Sequence, residues 1–266
     1  MAIAPTTSLG AVHLSVADLA RSLDYYTGSI GLEVTGEGAG EVSLGTGGHE
    51  LLHLVEEPGA RPADGYSGLF HFALLVPERR DLAGWLQHAI RDGVQLTGAS
   101  DHFVSEALYL RDPDHHGIEI YADRPREQWE GKADRIGTWP LDVDDLLTAN
   151  PEPVVPLSEG TRMGHVHLRV ADVGESVRFY RDVVGFDLIA QLGDQAAFLS
   201  AGGYHHHLGA NTWESRGAAQ APAGTARLRH FTIVVQDAAE RDRIAQAVGG
   251  ELRDPSGNAF ELVSGS

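Results

Sequence analysis

Residues able to hold a metal or move a proton recur along this chain at the two-residue spacing of a β-strand. In His165-Val166-His167-Leu168-Arg169-Val170 that period puts His165 and His167 on one face and Val166, Leu168 and Val170 on the other. The same parity sets His71 opposite Phe72, Leu74 and Val76, Glu119 opposite Ile118 and Ile120, and Tyr109 opposite Leu108 and Leu110. Groups capable of ligation or acid–base chemistry thus share one kind of face. The chain has 14 His and no Cys, which excludes disulfides, thiolate ligands and a thiol nucleophile, so any metal ion must rest on imidazole and carboxylate. A further run, Tyr204-His205-His206-His207-Leu208, follows a Gly-Gly turn that hides its register: either His206, or His205 with His207, faces the same way.

The elements that carry these residues come in repeats. Ala11-Val-His-Leu-Ser-Val-Ala-Asp18 returns as His165-Val-His-Leu-Arg-Val-Ala-Asp172, and nine of the 24 aligned positions from 11 to 34 are identical. A fainter pair relates His71-Phe-Ala-Leu-Leu-Val76 to His230-Phe-Thr-Ile-Val-Val235, and Asp112-Pro-Asp-His-His-Gly-Ile-Glu-Ile120 to Asp254-Pro-Ser-Gly-Asn-Ala-Phe-Glu-Leu262. The chain therefore reads as four modules, A, B, A′ and B′. Each opens with an alternating apolar strand, continues with a helical stretch (18–27, 80–92, 172–183 and 238–248) and closes with strand runs broken by Gly-rich turns, a βαβββ pattern. Residues 123–162 hold five prolines and a short amphipathic piece around 141–147, and read as a connection. His115 and His116 fall in the turn before the last strand of B and are expected at the surface.

Composition bounds the partners. At 266 residues the chain suits one large domain or two modest ones. With 20 Lys and Arg against 38 Asp and Glu, the net charge of −18 speaks against nucleic acid or an anionic membrane as partner. No apolar run approaches the length of a membrane span, and the first eight residues carry neither a basic nor an apolar export signature, so a cytoplasmic protein is expected.

On these residues the chain resembles the vicinal oxygen chelate superfamily and, within it, the type I extradiol ring-cleaving dioxygenases near the bacterial catechol 2,3-dioxygenases. The carriers are Gly164-His-Val-His-Leu168, Phe70-His-Phe72, the run from Asp101 to Pro113, Gly117-Ile-Glu-Ile-Tyr121 and Gly203-Tyr-His-His-His-Leu208, in the expected order over nearly the whole chain. The resemblance implies an α+β fold in which four βαβββ modules form two vicinal-oxygen-chelate domains with cup-shaped mixed sheets. The domains expected are residues 9–124 (A and B) and 163–263 (A′ and a shortened B′), joined by 125–162. It also implies Fe(II), with Mn(II) as the other choice, held by two His and one Glu with one side open to substrate and O2.

Two ligand sets compete. His71, His165 and Glu119 require A′ to pair with B, whereas His165, His230 and Glu261 come from the consecutive modules A′ and B′. Module B has His102 and Tyr109 at the places of the family's substrate-binding His and Tyr, while B′ has Glu251 at the Tyr position; 48 residues separate His71 from Glu119 but only 31 separate His230 from Glu261. The first set is favoured. The resemblance further assigns His206 to O2 activation and proton transfer, Tyr109 and His102 to the substrate oxygens, and leaves His167, His205, His207 and Tyr121 as substrate-side candidates. The expected activity is cleavage of a catechol beside its diol, giving a 2-hydroxymuconate-semialdehyde-type product, in a homo-oligomer. The alternatives are a glyoxalase-type metal-dependent isomerase or lyase, which would want a second carboxylate where His205-His206-His207 stands, and a metal-free binder of small aromatic drugs.

Overall fold

The computed structural model describes residues 2–132 and 135–265; residues 133 and 134 of the expected connection lie outside the described residues. Module A comprises β1 (Ser8–Val16), α1 (Leu19–Asp24), β2 (Glu33–Gly38), β3 (Glu41–Thr46) and β4 (His49–Glu56). After the short β5 (Arg61–Pro62), module B supplies β6 (Gly68–Leu75), α2 (Arg79–Asp92), β7 (Gly98–Asp101), β8 (Ser105–Arg111) and β9 (Gly117–Asp123). The connection holds α3 (Arg126–Trp129), β10 (Trp139–Pro140) and α4 (Val143–Thr148). Module A′ follows with β11 (Arg162–Arg169), α5 (Val173–Arg178), β12 (Asp187–Leu192), β13 (Ala196–Ser200) and β14 (Leu208–Asn211). Beyond β15 (Thr225–Ala226), module B′ has only β16 (Leu228–Val235), α6 (Ala238–Val248) and β17 (Phe260–Ser264).

Local chemistry explains the repeat. Asp18 and Asp172, the last residues of the repeated segment, cap the following helices by accepting from the backbone N–H of Arg21 and Glu175. Both helices then widen into a π-helical turn (25–30 and 179–184) that buries Tyr26 and Tyr180 and ends on Gly31 and Gly185, whose φ of 88° and 114° favour a residue without Cβ.

Sheet pairing crosses the repeat. One sheet runs β17-β16-β1-β4-β3-β2, joining A to B′, and the other runs β10-β7-β8-β9-β6-β11-β14-β13-β12, joining B to A′. Helices and turns fasten the sequence neighbours instead. Tyr26 donates to Asp112 at 2.8 Å and Trp85 to the Ile30 carbonyl at 2.9 Å between A and B, while Tyr180 donates to Asp254 at 3.3 Å between A′ and B′. The aliphatic strand faces and these aromatic rings form one continuous core, which leaves the concave faces to the ligand-type side chains and, on the nine-stranded sheet, to a small apolar cluster of Ala73, Leu75, Ala107 and Tyr121. His116 is not at the surface: it is buried, and its Nε2 meets the Ser15 carbonyl at 3.0 Å, tying the turn before β9 to β1, while His115 stays exposed. No helix among the described residues is long and apolar enough to cross a membrane.

Candidate metal centre

β6 is the spine of the site. Its Ala73 has Glu119 of β9 beside it on one side and His165 of β11 on the other. His71, two residues earlier on the same face, reaches over the small Ala73 side chain to both. The result is a triangle with edges of 3.2 Å (His71 Nε2 to His165 Nε2), 3.1 Å (His71 Nε2 to Glu119 Oε2) and 3.1 Å (His165 Nε2 to Glu119 Oε2). All three residues are buried. A metal with bonds of about 2.1 Å places ligands about 3.0 Å apart at right angles and about 3.4 Å apart in a tetrahedron, so the triangle fits one face of an octahedron. The donor set fits a hard-to-borderline divalent ion such as Fe(II) or Mn(II).

Electrostatics prepare the ligands. Burial alone would raise the Glu119 carboxyl, but the facing His165 and His71 hold it well below the usual carboxylate range. Burial pushes His165 down despite Glu119, and it pushes His167 and His206 well down with help from the neighbouring imidazoles, so these rings offer lone pairs at neutral pH. Tyr109 is driven well up by burial and then by Glu119, and stays a hydroxyl.

A cavity of about 500 Å³ opens over the triangle. Its mouth is apolar, with Phe70, Leu192, Phe198 and Trp213 around the metal ligands, and Ile136, Gly137 and Thr138 of the connection close one side. His102 Nδ1 donates to the Gly137 carbonyl at 2.7 Å, so its Nε2 is the acceptor for the Tyr109 hydroxyl at 2.6 Å. On the other side His206 packs on His165 with ring centroids 4.1 Å apart. Its Nδ1 lies 2.9 Å from His205 Nδ1, and His205 Nε2 donates to Asp123 at 2.8 Å. Asp123 also accepts from Tyr204 at 2.9 Å, which in turn lies 2.8 Å from the Tyr121 hydroxyl.

The structure thus gathers His71, His165, Glu119, Tyr109, His102, His206, His205 and His167 around one cavity. His167 Nε2 is buried there without a hydrogen-bond partner. His207 faces away, its Nδ1 accepting from Ser200 Oγ and the Ala201 N–H, and Tyr121 lies beneath His165 rather than on the cavity wall. Residues 205–207 precede β14 as irregular chain, so strand alternation does not apply to them and His205 and His206 both turn inward. The second ligand set is divided: His230 lies on the six-stranded sheet and His165 on the nine-stranded one. Asp123 and the 136–138 segment, which support His205 and His102, carried no signal in the sequence. Gly164 is required by the packing, because a Cβ there would run into the Tyr121 hydroxyl.

A double-module cup whose concave face gathers two His and one Glu implies a metal cofactor. The model of the glyoxalase/bleomycin resistance protein/dioxygenase superfamily matches residues 8–120 and 162–255. The chain is 40% identical, over 98% of its own length and 95% of the relative's, to the catechol-2,3-dioxygenase of Bacillus subtilis (strain 168). Among solved structures it is similar to glyoxalase I from Zea mays (TM-score 0.59, 18% identity, 97% of this chain and 92% of that one) and to the cppA protein from Streptococcus pneumoniae TIGR4 (TM-score 0.58, 14% identity, 97% and 100%), likenesses of fold. The chain belongs to the glyoxalase/bleomycin resistance protein/dioxygenase superfamily and, within it, is a catechol 2,3-dioxygenase-like enzyme.

Proposed function

We propose that the chain is an extradiol dioxygenase that inserts both atoms of O2 into the ring of a catechol beside its two hydroxyls, giving a 2-hydroxymuconate-semialdehyde-type product. The observation that carries this reading is the triangle of His71, His165 and Glu119 open to an aromatic-lined cavity. These three residues would hold Fe(II), or Mn(II) with the same ligands. When bound, the ion supplies Lewis acidity to both diol oxygens and electron exchange with O2.

The chain's own residues position the substrate and handle its protons. With Nδ1–H anchored on Gly137, His102 Nε2 is a base, and Tyr109 between it and the triangle relays a catechol proton by accepting it and passing its own to His102. His206, on the opposite side of the triangle, is oriented by His205, itself held on Asp123, so that its free Nε2 takes the second catechol proton and returns it to the product. His167 Nε2 offers a hydrogen bond to bound substrate, His205 supports from behind, and Phe70, Phe198 and Trp213 flank the ring. His207 and Tyr121 act by packing and through Tyr204. In this reading residues 9–124 and 163–263 are tandem units, joined by 125–162, that exchange half-sites; the enzyme works in the cytoplasm as a homo-oligomer joined through edge strands.

The test is anaerobic loading of metal-stripped protein with Fe(II), then catechol in air, following the yellow ring-fission product and equimolar O2 uptake. His71→Ala is expected to abolish both, and the exposed His49→Ala to leave them intact. A loaded enzyme that consumes no O2 with any catechol would sink the reading and favour the isomerase.

A further inference from the structure

The six-stranded sheet carries ligand-type side chains that the reaction does not use. His13 of β1 stands directly opposite His53 of β4 on one side and His230 of β16 on the other. Their rings stack, with centroids 4.7 Å apart for His13 and His53 and 3.9 Å apart for His13 and His230. From β17, Glu261 Oε2 comes within 3.5 Å of His230 Nε2. No hydrogen bond forms at that geometry, so this nitrogen is buried without a partner.

This face copies the main centre with one ligand missing. Thr232 pairs with Glu261 on one side and faces the irregular stretch of β1 that holds Gly10 and Ala11 on the other, as Ala73 sits between Glu119 and His165. Ala11 therefore stands where His165 stands, and His13 where His167 stands. With alanine at the place of His165, the His230 ring lies nearly flat on His13, at 22° between planes, whereas His71 stands at 78° to His167. Module B′ lacks the two middle strands that wall the main cup, so the face is open to water; the Glu261 side chain is 56% exposed and free to turn.

We propose that this face binds a second divalent ion of borderline softness, of the Zn(II), Ni(II) or Cu(II) kind, through the imidazoles of His13 and His230 together with Glu261. Two neutral imidazoles side by side on paired strands form a chelate, and imidazole suits these ions. Open solvent and an exposed, freely turning Glu261 make the site weaker than the buried triangle. An ion there links β1, β16 and the edge strand β17, and so ties the two ends of the chain; it lies on the other sheet from the catechol cavity.

Equilibrium dialysis of metal-stripped protein against Zn(II), with zinc per chain counted by plasma mass spectrometry, tests this without recourse to activity. Two ions are expected in the wild type, one in His71→Ala, and one in the double variant His13→Ala with His230→Ala. A single ion in the wild type, or two retained by the double variant, would overturn the proposal. Should the double variant misfold and lose both, Ala11→His decides, since it adds a further imidazole at the place that His165 holds in the main centre. A tighter second equivalent in isothermal titration supports the site, and an unchanged one overturns it.

Discussion

His71 and His165 meet Nε2 to Nε2 at 3.2 Å although they are not partners in the strand ladder, where His71 faces His167 and His165 faces Ala73. Two irregularities in β11, between Met163 and His165 and between His167 and Leu168, bracket the pair of histidines. Such bulges re-aim side chains at functional sites. Here the diagonal approach across Ala73 brings both imidazoles to Glu119.

Removing the metal should weaken the fold as well as abolish activity, because Glu119 is left as a buried carboxylate facing two imidazoles. An ion at a hundred times its dissociation constant stabilises by about 2.7 kcal/mol. Chelator-treated protein is expected to unfold at a lower urea midpoint that Fe(II) restores in the wild type. His165→Ala should show no such recovery; equal recovery in that variant would contradict the assigned ligands.

Ala73→Val tests the spine. The larger side chain is compatible with a strand but fills the gap across which His71 reaches, beside Tyr121 and Ala107. Overpacking of this kind costs about 1–3 kcal/mol. Metal affinity is expected to fall while circular dichroism stays native, and an unchanged affinity would show that the gap is immaterial.

Tyr109→Phe removes the hydroxyl that donates to His102 at 2.6 Å. General acid–base groups contribute about 10²- to 10⁴-fold. The turnover number should fall by about that much with metal content unchanged and KM altered far less; a change confined to KM would assign Tyr109 to binding alone.

Acid should destabilise the metal-free protein through its buried neutral imidazoles. His207 is pushed from 6.5 down to about 4 by burial, then by His205 and His165. The unfolded chain therefore takes up a proton below about pH 6.5 that the folded one refuses, and stability is full above that pH and lost as pH falls towards 4, by about 1.4 kcal/mol per unit per proton. Between pH 7.5 and 5.0, His207→Asn, which keeps an acceptor for the Ala201 N–H, should lose up to about 2 kcal/mol less than the wild type in urea titrations. Parallel slopes would show that His207 carries none of the acid sensitivity.

Alternation, repetition and charge are properties of neighbouring residues, and they were legible in the chain. The repeat from Ala11 to Asp18 and from His165 to Asp172 marked two strand-to-helix junctions, now seen as Asp18 and Asp172 capping their helices. Parity put His71, His165, Glu119 and Tyr109 on concave faces, and the spacing of Tyr109 and Glu119 follows from the β8–β9 hairpin, where the two are direct partners. His205 to His207 escaped this logic because they lie off the strand, and His116 because its partner, Ser15, is a hundred residues away.

Pairing between modules was left open by local pattern, since β11 and β16 present similar faces to either neighbour. Only packing in three dimensions chose. It joined β6 to β11, where Ala73 leaves room for three ligands to converge, and it set β16 against β1, where Ala11 supplies no third. Convergence of His71, Glu119 and His165 on one point depends on bulges, side-chain volumes and contacts far apart in the chain, and those are decided when the sheets close.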